Sequence, residues 1–228
     1  MSAARLAGRE LKRILAAELS NDPFGAVLER IGRIPPKQAV SPLFGFFCSR
    51  NPLVRWHAVT AMGMVTARLA EEDPESARVV LRRCMWNLNE ESGGIGWGCA
   101  EAMGESLARS AALASDYGGI LLSYLDPQGN FIDHPALQEG VLWGVGRMAR
   151  AQPGNAVGCA RLLKPFLSDP VAALRGLAAW AAGATADEAL TAALEGLTGD
   201  DAPLPLYEDE RLVQTTVGAV ARRATRER

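Results

Sequence analysis

The amino-acid sequence predicts an all-α fold, a right-handed superhelix of about five stacked helix pairs closed by a small C-terminal cap. Three observations carry this. Four segments share a rhythm of small residues ending on a glycine: Ala58-Val-Thr-Ala-Met-Gly63, Cys99-Ala-Glu-Ala-Met-Gly104, Val141-Leu-Trp-Gly-Val-Gly146 and Ala178-Ala-Trp-Ala-Ala-Gly183. The closing glycines are 41, 42 and 37 residues apart, the length of two helices with two turns and near the ~40–47 residues of helical repeat units. Acidic or amide residues followed by proline recur between these segments and mark helix starts.

The elements follow in order. Leu11, Ile14, Leu15 and Leu19 recur at three and four residues, so a helix is expected near 3–20. Asp22-Pro23 opens the next, near 23–33, and together residues 1–34 read as capping helices. A cap oxygen satisfies an orphan N–H of the first turn, and proline loses nothing at the first helical position. Repeats are expected over 35–198, with helices near 36–48, 52–71 (from Asn51-Pro52), 74–89 (from Asp73-Pro74), 97–114, 116–125, 135–151 (from His134-Pro135), 155–167, 170–184 (from Asp169-Pro170) and 186–198. Residues 199–228 break the pattern. Leu204-Pro-Leu-Tyr-Glu-Asp-Glu-Arg-Leu-Val-Gln-Thr-Thr-Val217 carries apolar residues before an acidic turn and β-branched residues after it. It predicts a small hairpin and then a helix near 217–225 capped by Thr216, with a distorted final helix pair as the alternative. Either would close the open end of a stack of repeats. The whole chain, 1–228, reads as one domain.

Asn51 to Gly63 closely resembles the second helix of a HEAT repeat, and so does Asp169 to Gly183, with Asp169 and Arg175 where such repeats carry an acidic cap and an arginine. The string NEESGGIGWGCAEAMGE, Asn89 to Glu105, resembles bacterial HEAT-repeat proteins. Over most of residues 20–200 the chain is similar to the HEAT-repeat family (armadillo-like, including the PBS-lyase HEAT-like group). The resemblance implies a fold and a structural ladder role for Arg55 and Arg175. It implies no activity.

Composition sets outer bounds. Of the 228 residues 48% are hydrophobic and 22% charged, ordinary globular usage. Twenty-four basic against 26 acidic residues give a net charge of −2, which argues against a chain whose task is to neutralise phosphates. Cys48, Cys84, Cys99 and Cys159 show no Cys-x-x-Cys spacing and fall in helical apolar patterns, so they are expected to be small buried thiols. The N-terminal apolar residues are broken by Arg9, Glu10, Lys12 and Arg13, unlike a signal peptide, and no run approaches a membrane span. The expectation is a reduced, cytoplasmic protein. The run Ala221 to Arg228 reads as a solvated, frayed terminus.

With the four repeats registered on their glycines and about 100° per residue, positions five, two and one before the glycine cluster on the core side. Positions seven and three before it point the other way, and hold Trp56 and Thr60, Trp97 and Glu101, Glu139 and Trp143, Gly176 and Trp180. In a HEAT solenoid the second helices line the concave surface, so four of five tryptophans are expected along one groove. Tryptophan joins a large apolar area to an N–H donor and is enriched at binding hot spots. Trp86 lies on a first helix and reads as plain packing. The loop from Asn87 to Gly98 is rich in glycine, and Ser92, Gly93 and Gly94 with the next helix start offer backbone N–H groups to an anion. Glu90 and Glu91 oppose one, no Gly-Lys-Ser/Thr follows, and a sharp structural turn explains the glycines equally.

Catalytic chemistry finds little support. The two histidines, His57 and His134, have no Cys, His or carboxylate at ligand spacing, so no metal site, cofactor or catalytic centre is expected. His57 should sit at a helix flank and His134 at a cap. Trp97, Glu101 and Trp143 resemble the tryptophan–carboxylate constellation of HEAT-like alkylpurine DNA glycosylases. The carboxylate here is Glu, though, and only Arg147 and Arg150 stand near to grip phosphates. The reading is a non-catalytic interaction module whose concave face, built on Trp56, Thr60, Trp97, Glu101, Glu139, Trp143 and Trp180, binds a partner protein or extended peptide. Nucleic acid and membrane are not the expected partners, and the number of copies stays open.

Overall fold

Even-numbered helices pack side by side in one layer and odd-numbered helices cover their backs, in a computed structural model that describes residues 8–21, 23–90, 96–185 and 187–226. The helices are α1 (Gly8–Glu18), α2 (Phe24–Gly32), α3 (Pro36–Phe44), α4 (Pro52–Glu72), α5 (Pro74–Leu88), α6 (Cys99–Arg109), α7 (Ala111–Ser123), α8 (Pro135–Ala151), α9 (Ala160–Leu163), α10 (Ala172–Thr185), α11 (Thr191–Gly196) and α12 (Val217–Arg226). Between the last two lies an antiparallel hairpin, β1 (Pro203–Glu208) and β2 (Arg211–Thr216), with Leu206 opposite Val213 and Tyr207 opposite Leu212.

The expected helix starts are local chemistry. Asn51 Oδ1 accepts from the Leu53 and Val54 N–H groups, Asp73 from Ser76 N–H, and Asp169 from Val171 N–H. Asp22 lies outside the described residues. His134 holds the cap position of α8 through its backbone carbonyl, which accepts from Gln138 N–H, while its side chain makes no cap bond. The helices expected over 36–48 and 186–198 are shorter, α3 ending at Phe44 and α11 following a 3₁₀ turn at Glu188–Leu190, and two further boundaries differ from expectation. The break between α6 and α7 falls at Ser110, whose hydroxyl caps Leu113 N–H; no proline flags it, so apolar periodicity runs on. The helix expected over 155–167 is a four-residue α9 between 3₁₀ turns at Pro153–Ala156 and Lys164–Ser168, since Gly158 turns the chain at φ +77° and Pro165 removes a helical donor.

Steric demand explains the repeating glycines. A Cβ on Gly104 would lie 2.2 Å from the Gly144 Cα, so α6 and α8 touch backbone to backbone. Gly63 similarly faces the Glu105 side chain and Gly146 the Trp180 ring. Along this layer α4, α6, α8, α10 and α12 pack in succession, while on the other side Arg78 of α5 pairs with Asp116 of α7 at 3.1 Å. Helix α12 packs on α10 and α11 and closes the end of the stack, as the cap was expected to do. It is an ordered amphipathic helix through Arg226, with Arg223 on Glu208 at 2.7 Å, rather than a frayed tail.

Three side chains are placed against expectation. His57 is fully buried rather than flanking, stacked on Phe24 at 3.6 Å, with Nδ1 2.8 Å from the Leu19 carbonyl. Trp86, expected to be packing, is 65% exposed. Cys48 is exposed, whereas Cys84, Cys99 and Cys159 are buried, and all four are free thiols. The period of an outer helix gives its core face correctly but not whether a neighbour covers its flank, which is how Trp86 escapes, while Cys48 lies in the turn beyond the end of α3 at Phe44.

Gly104→Ala is expected to destabilise the fold by at least ~1–3 kcal/mol, because backbone must move. Gly119→Ala, on α7 with open space around it, should instead stabilise by about 0.5–1 kcal/mol. Urea unfolding of both variants against the parent chain checks the pair.

Candidate functional site

The face of the even-numbered helices is not an open groove, because β1 lies along it. Trp143 Nε1 donates to the Tyr207 carbonyl at 2.9 Å, and Trp180 Nε1 donates to Glu208 Oε1 at 2.9 Å. The Tyr207 ring stacks on Trp56 at 4.7 Å and 7°, and its hydroxyl lies 3.1 Å from Thr60 Oγ1. Trp56 meets Trp143 at 4.6 Å, and Trp143 meets Trp180 at 5.9 Å. The indoles of Trp56, Trp143 and Trp180 therefore form a row, and the N–H donors of Trp143 and Trp180 serve the hairpin. Trp143 is 3% and Trp180 2% exposed, while Trp56 and Trp97 are half-buried. Burial of a polar-tipped aromatic is favourable when the tip finds a partner, as it does here.

The strand fits because the repeat changes at its end. Where the first two repeats carry Trp56 and Trp97, the fourth carries Gly176, and a Cβ there would come within 2.5 Å of Leu204 Cδ2 on β1. Leu204, Leu206 and Tyr207 are all buried. At the tip, Asp209 and Glu210 adopt φ of 48° and 62°, the left-handed pair that a two-residue hairpin turn matched to strand twist requires.

Seated in this way, the hairpin separates two cavities. The first, about 370 Å³, is lined by Arg55, Trp56, Trp97, Glu101, Glu139 and Trp143, with Pro205, Leu212 and Gln214 of the hairpin among the rest. It unites five of the residues the sequence singled out. Glu101 is only 7% exposed and its carboxyl lies against Gly140. Burial pushes its pKa above the ordinary carboxylate value; Arg55 opposes the shift and neighbouring Glu139 adds to it. Glu139 is likewise raised by burial, again against Arg55. Arg55 thus serves as counter-charge to this pair and lies 5.5 Å from the Trp56 ring centroid. Trp97 meets the His134 ring edge-on at 6.0 Å.

The second cavity, about 450 Å³, holds Thr60, Trp143 and Trp180 from the predicted set, together with Glu105, Arg109, Arg147, Arg150 and the hairpin residues 207–210. Sequence reading missed Glu105, Arg109 and Tyr207. The signal for the first two was present, since Glu105 and Arg109 continue the Trp97–Glu101 stripe by one and two turns at i+4. Ser92, Gly93 and Gly94 lie outside the described residues; Gly98, which ends that loop, has φ +72° and would meet Phe47 if it bore a Cβ. Arg175 bonds Asp200 at 2.7 Å and the Asp169 carbonyl at 2.8 Å, within the framework. Among the described residues no cluster of His, Cys, Asp and Glu fit to hold a metal occurs, and no helix is long and apolar enough to cross a membrane.

No family model matches the chain, and no curated protein is similar to it in sequence. Solved structures are similar in fold. An engineered protein aligns over 96% of both chains at 15% identity and a TM-score of 0.53. A designed armadillo repeat protein in complex with the peptide (KR)4 aligns over 96% of this chain and 99% of its own, at 16% identity and 0.51. Designed armadillo repeat proteins for modular peptide recognition align over 95% and 99% at 15% and 0.50. The fold is a HEAT/armadillo-like α solenoid with a hairpin and helix at its C-terminal end.

Two outcomes follow. Gly176→Val should unseat β1, and in a Trp86→Phe background, where the exposed indole is removed, emission should shift to the red and become quenchable by iodide. Glu101 folds more favourably when protonated, so its stabilising contribution is full below the unfolded value of ~4.3 and lost as pH rises through the raised folded value. Glu101→Gln should accordingly melt a few degrees above the parent at neutral pH, the gap closing by about pH 4 in thermal scans.

Proposed function

We propose that the chain is a non-catalytic interaction module that receives an extended segment of a partner protein on its even-helix face, one basic side chain entering the cavity of Trp56, Trp97, Glu101 and Glu139. The observation that carries this reading is the pairing of a buried and a partly buried carboxyl with two half-buried indoles in one opening. A guanidinium or ammonium entering there exchanges water for ring faces and carboxylates at low dielectric, where both attractions strengthen. It would take over the counter-charge role of Arg55, which lines the same opening beside Trp56. One structural neighbour is a designed armadillo repeat protein in complex with (KR)4, a peptide of alternating basic residues, which supports this chemistry.

A stacked nucleobase is the other occupant that tryptophans invite. Against it, Trp143 is covered by Tyr207 and the opening is acidic, so phosphates would be repelled.

Fluorescence anisotropy with a labelled basic peptide such as (KR)4 tests the proposal, using a duplex DNA and a neutral peptide of equal length as comparisons. The basic peptide should bind in the micromolar range, and Glu101→Gln/Glu139→Gln should weaken it at least ~10-fold. Because both carboxyls protonate above the usual range, binding should fall off on mild acidification, before ordinary surface carboxylates titrate. Equal binding of the neutral peptide, or an unaffected double variant, would sink the idea.

A further inference from the structure

The second cavity holds charges of both signs in a division that internal pairing does not exhaust. Glu105, 3% exposed in its side chain, accepts Nε–H of Arg109 at 2.7 Å through one oxygen and Nε–H of Arg147 at 2.5 Å through the other. One carboxylate therefore orients two guanidiniums, each 29% exposed. Each presents its Nη donors without an acceptor among the described residues. Arg150 is committed elsewhere, lying 3.9 Å over the Trp180 ring and donating to the Trp180 carbonyl at 2.7 Å. The helix wall, from α6 and α8, thus retains net positive charge.

The hairpin wall is its complement. Glu208 is occupied by Trp180 and Arg223, but Asp209 and Glu210 line the cavity with no ion pair among the described residues. The Tyr207 hydroxyl, 3.1 Å from Thr60 Oγ1, lines the same cavity. Between the two walls stand the Trp143 and Trp180 rings and the Thr60 hydroxyl. A bare anion would be drawn to the arginines and opposed by the turn. A bare cation would meet the converse. A ligand bearing a carboxylate and an ammonium a few bonds apart satisfies both. The volume, about 450 Å³, falls in the ~300–1,000 Å³ typical of small-molecule sites.

We propose that this cavity binds a free α-amino acid, its carboxylate on the terminal nitrogens of Arg109 and Arg147, its ammonium on Asp209 and Glu210, and its side chain along the tryptophan wall. Bidentate guanidinium recognition of a carboxylate is geometrically specific, and Glu105 fixes both forks before the ligand arrives. The site shares only Trp143 and Tyr207 with the peptide cavity, and neither proposal depends on the other.

Isothermal titration of the full chain with a panel of free amino acids is the test. Each amino acid is set against its amine lacking the carboxylate, its acid lacking the ammonium, and its N-acetyl amide; inorganic phosphate serves as the bare anion. At least one amino acid should bind saturably at millimolar or lower concentration, with all three analogues at least ~10-fold weaker. Asp209→Asn/Glu210→Gln, on the hairpin turn and away from the core, should keep the fold and lose at least ~10-fold. Arg147→Lys should weaken binding while retaining a charge for Glu105. The proposal is overturned if no amino acid binds up to about 10 mM. It is equally overturned if the blocked amides bind as well, if phosphate binds and amino acids do not, or if the hairpin double variant is unchanged.

Discussion

Gly104 has no side chain because the backbone of α8 passes through the space one would occupy. That contact sets the spacing of the inner layer and, with it, what neighbouring stripes can do. Trp97, Glu101, Glu105 and Arg109 descend one side of the seam, and Glu139, Trp143 and Arg147 the other. Across this close crossing Glu105 reaches Arg147 at 2.5 Å while holding Arg109 at 2.7 Å, and the carboxyl of Glu101 rests on Gly140. Small residues at the crossing forgo packing volume and return proximity between functional groups of different helices.

The hairpin is the second organising element. A connection between α11 and α12 need only be a few residues; here it is lengthened into two strands that return along the inner face. Its tip places two non-glycine residues at positive φ, a cost of roughly 1–2 kcal/mol each. Seating offsets it: two indole N–H bonds, a parallel stack of Tyr207 on Trp56, and burial of Leu204 and Leu206. Because the strand occupies the middle of the face, the surface becomes two enclosed openings rather than one trough, and enclosure is what lets charges act at low dielectric.

Two glutamates one turn apart on α6 show how the same side chain acquires different roles. Glu105 meets two guanidiniums at hydrogen-bond distance. Glu101 is buried without such a partner, and burial raises its pKa although Arg55 opposes the shift through space. Position along one stripe, relative to where cationic neighbours end, decides between an orienting group and one left with capacity for a ligand.

The periodicity of small residues, the Asp-Pro and Asn-Pro starts, and the acidic turn between an apolar and a β-branched run were enough to give the solenoid, most helix boundaries and the C-terminal hairpin with its helix. These rest on interactions within a few residues, so they are written in local order. The inward stripe of tryptophans was legible for the same reason, since 3.6-residue geometry alone assigns a face. What covers that face was not. Trp143 and Tyr207 are 64 residues apart, and Thr60 and Tyr207 are 147 apart. Nothing in either segment's own pattern says that the last connection turns back along the stack instead of merely ending it. Sequence by itself determined which side chains share a side of each helix. Only the tertiary structure decided that Trp143 and Trp180 are covered, that Glu105 joins two arginines, and that one face is two cavities, because those outcomes depend on where distant segments close upon one another.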